Sequence, residues 1–298
     1  MNISRKLKLS FALAIVLPLL IIASLVITQT RNQALDNFEM LSDREASQVD
    51  NAMQMFFSEI EKNVDFLASH PDVVSAQKDV KTYVSSNSAT QLMHTQGTST
   101  EANAYQLFNH FGETHSGLAY IYMGNEQGGY IQWPEGEVNA KYDPRQRPWY
   151  TAAKQANGNA IRTNAYYWEI DDTVIVSTVK AIKNNGQIVG VQGMDVSLQG
   201  LTDIIANIKL GETGYLMLAE DSGNILVDPK HDNYRFKQLG EVANGTYKVL
   251  ANNRDGQFEL NLNDTVYLVN IFSSNKLGWK YIALVEKSEV MGPVNTMT

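Results

Sequence analysis

An uncharged run of eighteen residues, Phe11 to Thr28 (FALAIVLPLLIIASLVIT), constrains this chain more than any other stretch. It reaches the lower length limit for an α-helix that crosses a bilayer. Pro18 is tolerated in such a helix, because neighbouring groups satisfy the backbone it frees. Arg5, Lys6 and Lys8 precede the run without an acid among them, so the N-terminus is expected in the cytoplasm and the remainder outside it. A cleaved signal peptide would have a shorter apolar core and a small-x-small cleavage site. IIASLVITQT offers no good Ala-x-Ala, so an uncleaved membrane anchor is expected.

Beyond the run, Arg31 to Ser69 reads as one amphipathic helix. Ala46, Val49, Met53, Phe56, Ile60, Val64 and Leu67 recur at spacings of three and four, and polar residues fill the other face. Pro71 stops the pattern. Nearly forty residues at 1.5 Å each make a rod of about 55–60 Å. Such a rod can pack along two stacked modules, pair with a copy of itself, or both.

Net charge excludes one class of function. Without the three N-terminal cations the chain keeps 21 basic and 32 acidic side chains, a net of −11, and nucleic-acid-binding domains are usually basic. There is no cysteine, hence no disulfide or thiolate site. His110 and His115 are close in sequence, but HFGETH lacks the spacing that puts two imidazoles on one helical face. No GxSxG, phosphate loop or catalytic triad spacing is present, so no enzymatic activity and no cofactor are expected.

Strand patterns begin at Leu118–Met123 and Tyr130–Trp133, then Arg162–Trp168, Thr173–Ile182 and Gln187–Asp195, with Asn184-Asn185-Gly186 as a hairpin turn. After a connector over 196–209 the pattern recurs: AYIYMGNEQGGYI is answered by GYLMLAEDSGNIL. Gln257–Leu262, Thr265–Ser273 and Trp279–Glu286 complete a second set. The expected fold class is α+β, with an N-terminal transmembrane helix, a long amphipathic helix and two PAS-like antiparallel-sheet modules.

Between the first hairpin and the later strands lies YDPRQRPWY, residues 142–150. Pro144 and Pro148 fix their own φ and push Asp143 and Arg147 toward extended conformations, so a stiff, extended loop is predicted. Arg147 offers a planar fork for a carboxylate, and Trp149 and Tyr150 offer ring walls with N–H and O–H donors. Arg145 is expected to face solvent or pair structurally.

The anchor, the long helix, the paired modules and this loop together resemble the double-Cache (dCACHE_1) family, extracytoplasmic sensors of bacterial methyl-accepting chemotaxis proteins and some kinases. The likeness covers roughly residues 30–290. One amino-acid-binding group of that family has a spaced pattern that this sequence matches at Tyr142, Arg147, Trp149, Tyr150, Tyr166 and Asp195. The resemblance implies that these residues bind a free L-amino acid. Arg147 and the Trp149 indole would take the carboxylate, Asp195 the ammonium, and Tyr142 and Tyr166 would accept hydrogen bonds from it. Tyr150 would wall the site or donate its hydroxyl. Register from Ser177 favours Tyr166 over Tyr167, because neighbours on a strand face opposite ways. Asp195 has a second reading, the N-cap of a helix starting at Val196. Where the family often carries Asp, this chain has Trp168, either a pocket wall or a core residue. Asp171 and Asp172 are open to a basic ligand side chain or to Ca²⁺, which wants six or more oxygens.

The same resemblance implies residues 1–10 as a cytoplasmic N-terminus, 11–29 as the transmembrane helix and 30–70 as a signalling helix. It implies 71–200 as a membrane-distal ligand-binding module, 201–290 as a membrane-proximal module, and 291–298 as the start of a segment leading to a second transmembrane helix. The expected setting is the bacterial inner membrane with the sensor in the periplasm. The expected partners are an amino-acid ligand, a second copy through the long helix, and a cytoplasmic chemotaxis adaptor and kinase reached through a following region. The alternative is the same sensor on a histidine kinase or a cyclic-dinucleotide enzyme.

Overall fold

The structure, a computed structural model, describes residues 3–168, 171, 173–205 and 208–295. One uninterrupted helix, α1 (Ile3–Ser69), joins the apolar run to the amphipathic stripe with Pro18 inside it. Large apolar side chains from Phe11 to Val26 are exposed. The most apolar eighteen-residue window of this helix has a mean hydropathy of 2.3 and is long and apolar enough to cross a membrane.

The lower part of α1 buries Ala46, Val49, Met53, Phe57, Ile60, Val64 and Leu67. The stripe therefore runs through Phe57 and not Phe56, which is only partly buried and meets Phe57 edge-on at 5.3 Å. A step of four from Met53 and three to Ile60 keeps Phe57 on the core line, and the reverse order suits Phe56 equally. With two adjacent phenylalanines, spacing alone did not decide between them. Fully burying each such side chain contributes about 1.5–3 kcal/mol.

α1 lies across two antiparallel sheets. A short helix α2 (Pro71–Ser75), the small pair β1 (Thr90–Gln91) with β4 (Glu137–Val138), and α3 (Ser99–Thr114) accompany the first. Its strands are β2 (Tyr120–Asn125), β3 (Tyr130–Trp133), β5 (Ile161–Arg162), β6 (Tyr166–Trp168), β7 (Thr173–Asn184) and β8 (Gln187–Ser197), with α4 (Pro148–Gln155) between β4 and β5. The order is β3-β2-β8-β7-β5, and β6 also pairs with β7. After α5 (Leu198–Ile205) the second sheet is built from β9 (Tyr215–Glu220), β10 (Ile225–Val227), β11 (Gly256–Leu262), β12 (Thr265–Ser274) and β13 (Trp279–Glu286), in the order β10-β9-β13-β12-β11.

One core joins α1 to the near face of both sheets, through Ile121, Met123, Val176 and Met194 in the first and Leu216, Leu218, Leu268 and Val285 in the second. Polar ties reinforce it. Lys180 pairs with Asp65 at 2.6 Å, and Asn270 donates to Asp43 at 2.7 Å. The far face of each sheet carries its own cluster.

α3 starts at Ser99, inside the Ser/Thr-rich stretch of 85–102. Thr98 caps it by accepting the Glu101 N–H at 3.2 Å. Glu101 sits three residues after Thr98, as in a capping box. Here its carboxylate instead takes the Lys81 N–H and His94 Nδ1, at 2.9 and 2.8 Å. His94 Nε2 accepts the Gln132 N–H, which pins the 80–97 segment to β3. That segment places Tyr83 and Leu92 over the far face of the first sheet.

Candidate functional site

Strand alternation sorts the first sheet into two surfaces. Ile121, Met123, Val176 and Met194 point to α1, while Tyr120, Tyr122, Ile175, Val179 and Val191 point away from it. Ser177 and Asp195 lie at matching positions on that second surface. Tyr120 is opposite Asp195 on β8, and Ser177 is opposite Asp195 from the other side. An acid is thereby set in the middle of three paired strands, 3% exposed.

Asp195 Oδ1 accepts the Tyr122 hydroxyl at 2.6 Å and the Ser177 hydroxyl at 2.5 Å, and Tyr166 shares a 2.8 Å bond with Ser177. Burial pushes the Asp195 carboxyl up to about 7, against the lowering effect of the two hydroxyls. The helix-cap reading of Asp195 is not what the structure shows. β8 continues to Ser197, and the Ser197 hydroxyl accepts the Gly200 N–H at 3.2 Å. A side chain committed to Tyr122 and Ser177 inside the sheet is two residues too early to cap α5.

The loop from Tyr142 is less extended than its prolines predicted. Asp143 and Arg147, each before a proline, are extended, with φ/ψ of −119/108 and −82/146. Pro144–Gln146 forms a 3₁₀ turn, and Pro148 opens α4, so Trp149 and Tyr150 belong to its first turn. Proline's fixed φ suits the first helical position, where its missing N–H has no intrahelical role.

The two arginines of the loop separate cleanly. Arg145 sends Nε and Nη2 to the Asp143 oxygens, both at 2.8 Å, and is consumed by that pair. Among the described residues no carboxylate pairs with Arg147. Its guanidinium carbon instead lies 5.4 Å from the Tyr142 ring and 5.5 Å from the Trp168 ring. Tyr142 feels both charges of the site: burial raises its hydroxyl to about 12, Arg147 opposes the rise and Asp195 adds to it. Among the described residues the Tyr142 hydroxyl and the Trp168 Nε1 are buried and have no hydrogen-bond partner, and such orphaned groups call for an explanation.

The remaining candidates are placed as follows. Trp149 is buried and meets the Tyr122 ring at 4.8 Å, edge-on. Tyr150 is also buried, but its hydroxyl donates to Glu126 at 2.7 Å, so it walls the cluster without offering that proton inward. Tyr167 is 46% exposed, whereas Tyr166 packs against the cluster. Trp168 is buried in the cluster and meets Tyr142 at right angles. Asp171 accepts a hydrogen bond from the Tyr120 hydroxyl. Asp172 lies outside the described residues. The structure thus gathers Tyr142, Arg147, Trp149, Tyr150, Tyr166, Trp168 and Asp195 around one aromatic cluster.

Sequence reasoning missed Tyr122 and Gly193, and used Ser177 only to set the register of Tyr166. A Cβ on Gly193 would sit 2.4 Å from Tyr122 ring atoms and 2.6 Å from its hydroxyl oxygen. Glycine is what lets Tyr122 lie across β8 and reach Asp195. Gly193→Ala is expected to displace Tyr122 at a cost of about 1–3 kcal/mol, read as a lower melting temperature together with weaker ligand binding. An unchanged melting curve would show that the ring has room to move. The alternation of Tyr120 and Tyr122 with Ile121 and Met123 carried the available signal, but all four are large and largely apolar, so the pattern did not say which face held the charge.

The chain as a whole is similar to known proteins. The chain matches the Cache domain family dCache_1 over residues 26–294. It is similar to the methyl-accepting chemotaxis protein McpB of Bacillus subtilis, 27% identical over 196 residues, which cover 65% of this chain and 28% of that protein. It is 35% identical over 128 residues to McpA of Pseudomonas putida, covering 43% of this chain and 20% of that protein. The chain thus spans less than a third of the length of these curated relatives. Among solved structures, the ligand-binding domain of the Pseudomonas fluorescens chemoreceptor CtaA in complex with L-isoleucine superposes with a TM-score of 0.65 at 20% identity, covering 88% of this chain and 98% of that one. With the family match running through both sheets and the lower part of α1, the chain belongs to the dCache_1 family of Cache domains.

Proposed function

We propose that this chain is the extracytoplasmic sensor region of a transmembrane chemoreceptor, and that it binds free L-α-amino acids in the module of residues 71–200. One observation carries the reading. Arg147, a cation with no acid partner among the described residues, and Asp195, a buried acid, both act on Tyr142 of one aromatic cluster. An α-amino acid supplies the missing partners. Its carboxylate takes the Arg147 fork with the Trp149 indole N–H, and its ammonium takes Asp195. Tyr142 and Tyr166 accept from that ammonium. A ligand lacking the ammonium leaves the buried Asp195 unpaired and one lacking the carboxylate leaves Arg147 unpaired, which is how such a site rejects simple acids and simple amines.

The relatives are methyl-accepting chemotaxis proteins, which supports a chemotaxis output over a histidine kinase or a cyclic-dinucleotide enzyme. In this reading residues 11–29 anchor the protein in the bacterial inner membrane and the sheets lie in the periplasm. Residues 30–70 carry the signal and form the homodimer contact, while 201–290 form the membrane-proximal module. Residues 291–298 lead toward a second membrane helix, and an adaptor and kinase act beyond it. The role is binding and transmission, without a catalytic step or a cofactor.

A thermal-shift screen of the chain in detergent against the twenty common L-amino acids tests this. One or more is expected to raise the melting temperature in a concentration-dependent way, since a ligand of the folded state stabilises it by mass action. No shift with any of the twenty would overturn the reading.

A further inference from the structure

The segment Ile161–Trp168 touches the candidate site at one end and the second module at the other. At the site end, Tyr166 bonds Ser177, which bonds Asp195. Thr163 forms two bonds with the backbone of Ser177: its N–H donates to the Ser177 carbonyl at 2.8 Å, and its hydroxyl accepts the Ser177 N–H at 3.2 Å. At the other end, the Ala165 N–H donates to the carboxylate of Glu220 on β9 at 2.8 Å, and that acid is 3% exposed. Arg162 leaves its own sheet altogether. Its guanidinium lies 4.5 Å from the Trp279 ring of β13 and 4.9 Å from the Phe57 ring of α1, and it donates to the Leu277 carbonyl.

Arg162 is therefore the place where three bodies meet: the ligand-site sheet, the second sheet and the long helix. Burial lowers the proton affinity of its guanidinium, and the nearby Glu220, Glu61 and Tyr281 oppose that effect. A planar cation set against two aromatic rings that lie at 83° to each other is geometrically exacting, and lysine does not reproduce it. Glu220 occupies the position in GYLMLAE that Asn125 holds in AYIYMGN. Asn125 caps its own hairpin turn through the Gln127 and Gly129 N–H groups. Glu220 also closes its own turn, taking Ser222 and Asn224, but it is one atom group longer and reaches across to Ala165.

We infer that Arg162 and Glu220 are the coupling residues of the receptor, carrying the change at Ser177 and Tyr166 on ligand binding into β9, β13 and α1 through Ile161–Trp168. The inference rests on the amino-acid-binding reading above. It is mechanical: the same short segment cannot shift at Tyr166 without moving Ala165 and Arg162, which are bonded to the other module. Coupling of this kind requires an element that both sites bias, and this segment has direct bonds to each.

Hydrogen exchange on the full chain in lipid nanodiscs tests it, with a saturating mixture of the twenty common L-amino acids as probe. In the wild type the mixture is expected to slow exchange in 120–125 and 187–197, and also in 215–220 and 265–286. Arg162→Ala is expected to keep the first response and the ligand-induced rise in melting temperature. In 215–220 and 265–286 the ratio of rates with and without probe is expected to fall to within about twofold of one. Glu220→Ala should behave likewise, and it tests the inference separately if Arg162→Ala does not fold. Glu220→Gln keeps the acceptor for Ala165 and should behave as wild type. A second-module response that survives in Arg162→Ala and Glu220→Ala, or that is absent from a wild type which does bind the probe, overturns the coupling alone. A wild type with no response anywhere overturns the binding reading and the coupling with it.

Discussion

Asp195→Asn is expected to abolish amino-acid binding while raising the melting temperature of the ligand-free chain at pH 8. The two effects have one cause. The Asp195 carboxyl is raised from 3.8 to about 7 in the folded chain by burial. Between those values the native state holds a proton that the unfolded state has released, so stability falls as pH rises from about 4 to about 7 and stays low above it. Asparagine keeps the oxygen that accepts from Tyr122 and Ser177 and carries no charge to bury. Its melting temperature should therefore exceed that of the wild type above pH 7 and converge with it near pH 4. Binding moves the other way, because the ligand ammonium loses its counter-charge. Truncating one member of a buried charged pair costs about 2–5 kcal/mol, so a loss of at least about thirtyfold is expected. The wild type should also bind about tenfold more weakly at pH 6 than at pH 8, since the raised carboxyl must lose its proton before it takes an ammonium. A variant that melts lower than wild type at pH 8, or still binds, would contradict this account of Asp195.

Arg147→Ala is the second large effect, and its contrast with Arg145→Ala is diagnostic. Among the described residues Arg147 has no acid to leave behind; its contacts there are with rings, at 5.4 and 5.5 Å. Such contacts are worth about 0.5–1 kcal/mol each at partly exposed sites. Its removal should change stability little and reduce affinity by about a hundredfold or more, the loss of a charge-assisted fork. Arg145→Ala should do the reverse. Asp143, 8% exposed, loses the partner that holds its carboxyl below the usual range, and the chain should melt lower while binding within about threefold of wild type. Melting curves and calorimetry on both variants check this. Equal losses of affinity in the two would contradict the division of labour.

Much of the fold was legible because its periodicities were long and clean. The stripe on α1, the Asn184-Asn185-Gly186 turn and the repeated hairpins at 120–133 and 215–227 all appear where their patterns put them. The errors came where two local rules compete. Phe56 and Phe57 fit one stripe, and proline both stiffens an extended loop and starts a helix. Thr98 was hidden in a polar run whose composition says loop, although the Thr98–Glu101 spacing was the signal for a helix start.

The candidate site was legible only as a set of separate positions. The resemblance separated Arg147 from Arg145 by spacing, and the structure gives the physical reason: Asp143 takes Arg145, while Arg147 lies against Tyr142 and Trp168. Tyr122, Ser177 and Gly193 enter through register, which joins Tyr122 to Ser177 and Asp195 across more than fifty positions. Register also separates the two modules. The hairpin repeat aligns Tyr120 with Tyr215 and Tyr122 with Met217. The strand partners then match Asp195 with Leu284 and Ser177 with Val269. Where the first module buries an acid and its hydroxyl donors, the second packs Met217, Val269 and Leu284 into an apolar cluster. The same scaffold therefore carries a charged centre in one copy and an ordinary core in the other.

The central claim is that the site requires both ends of a zwitterion, Arg147 for one and Asp195 for the other. Calorimetry with the strongest-binding L-amino acid, its carboxamide, which lacks the carboxylate, and its deaminated acid, which lacks the ammonium, tests it most directly. The amino acid should bind, and the carboxamide and the deaminated acid should each bind at least about a hundredfold more weakly, the cost of leaving Arg147 or Asp195 unpaired. A carboxamide or deaminated acid that binds within about tenfold of the amino acid would contradict the claim.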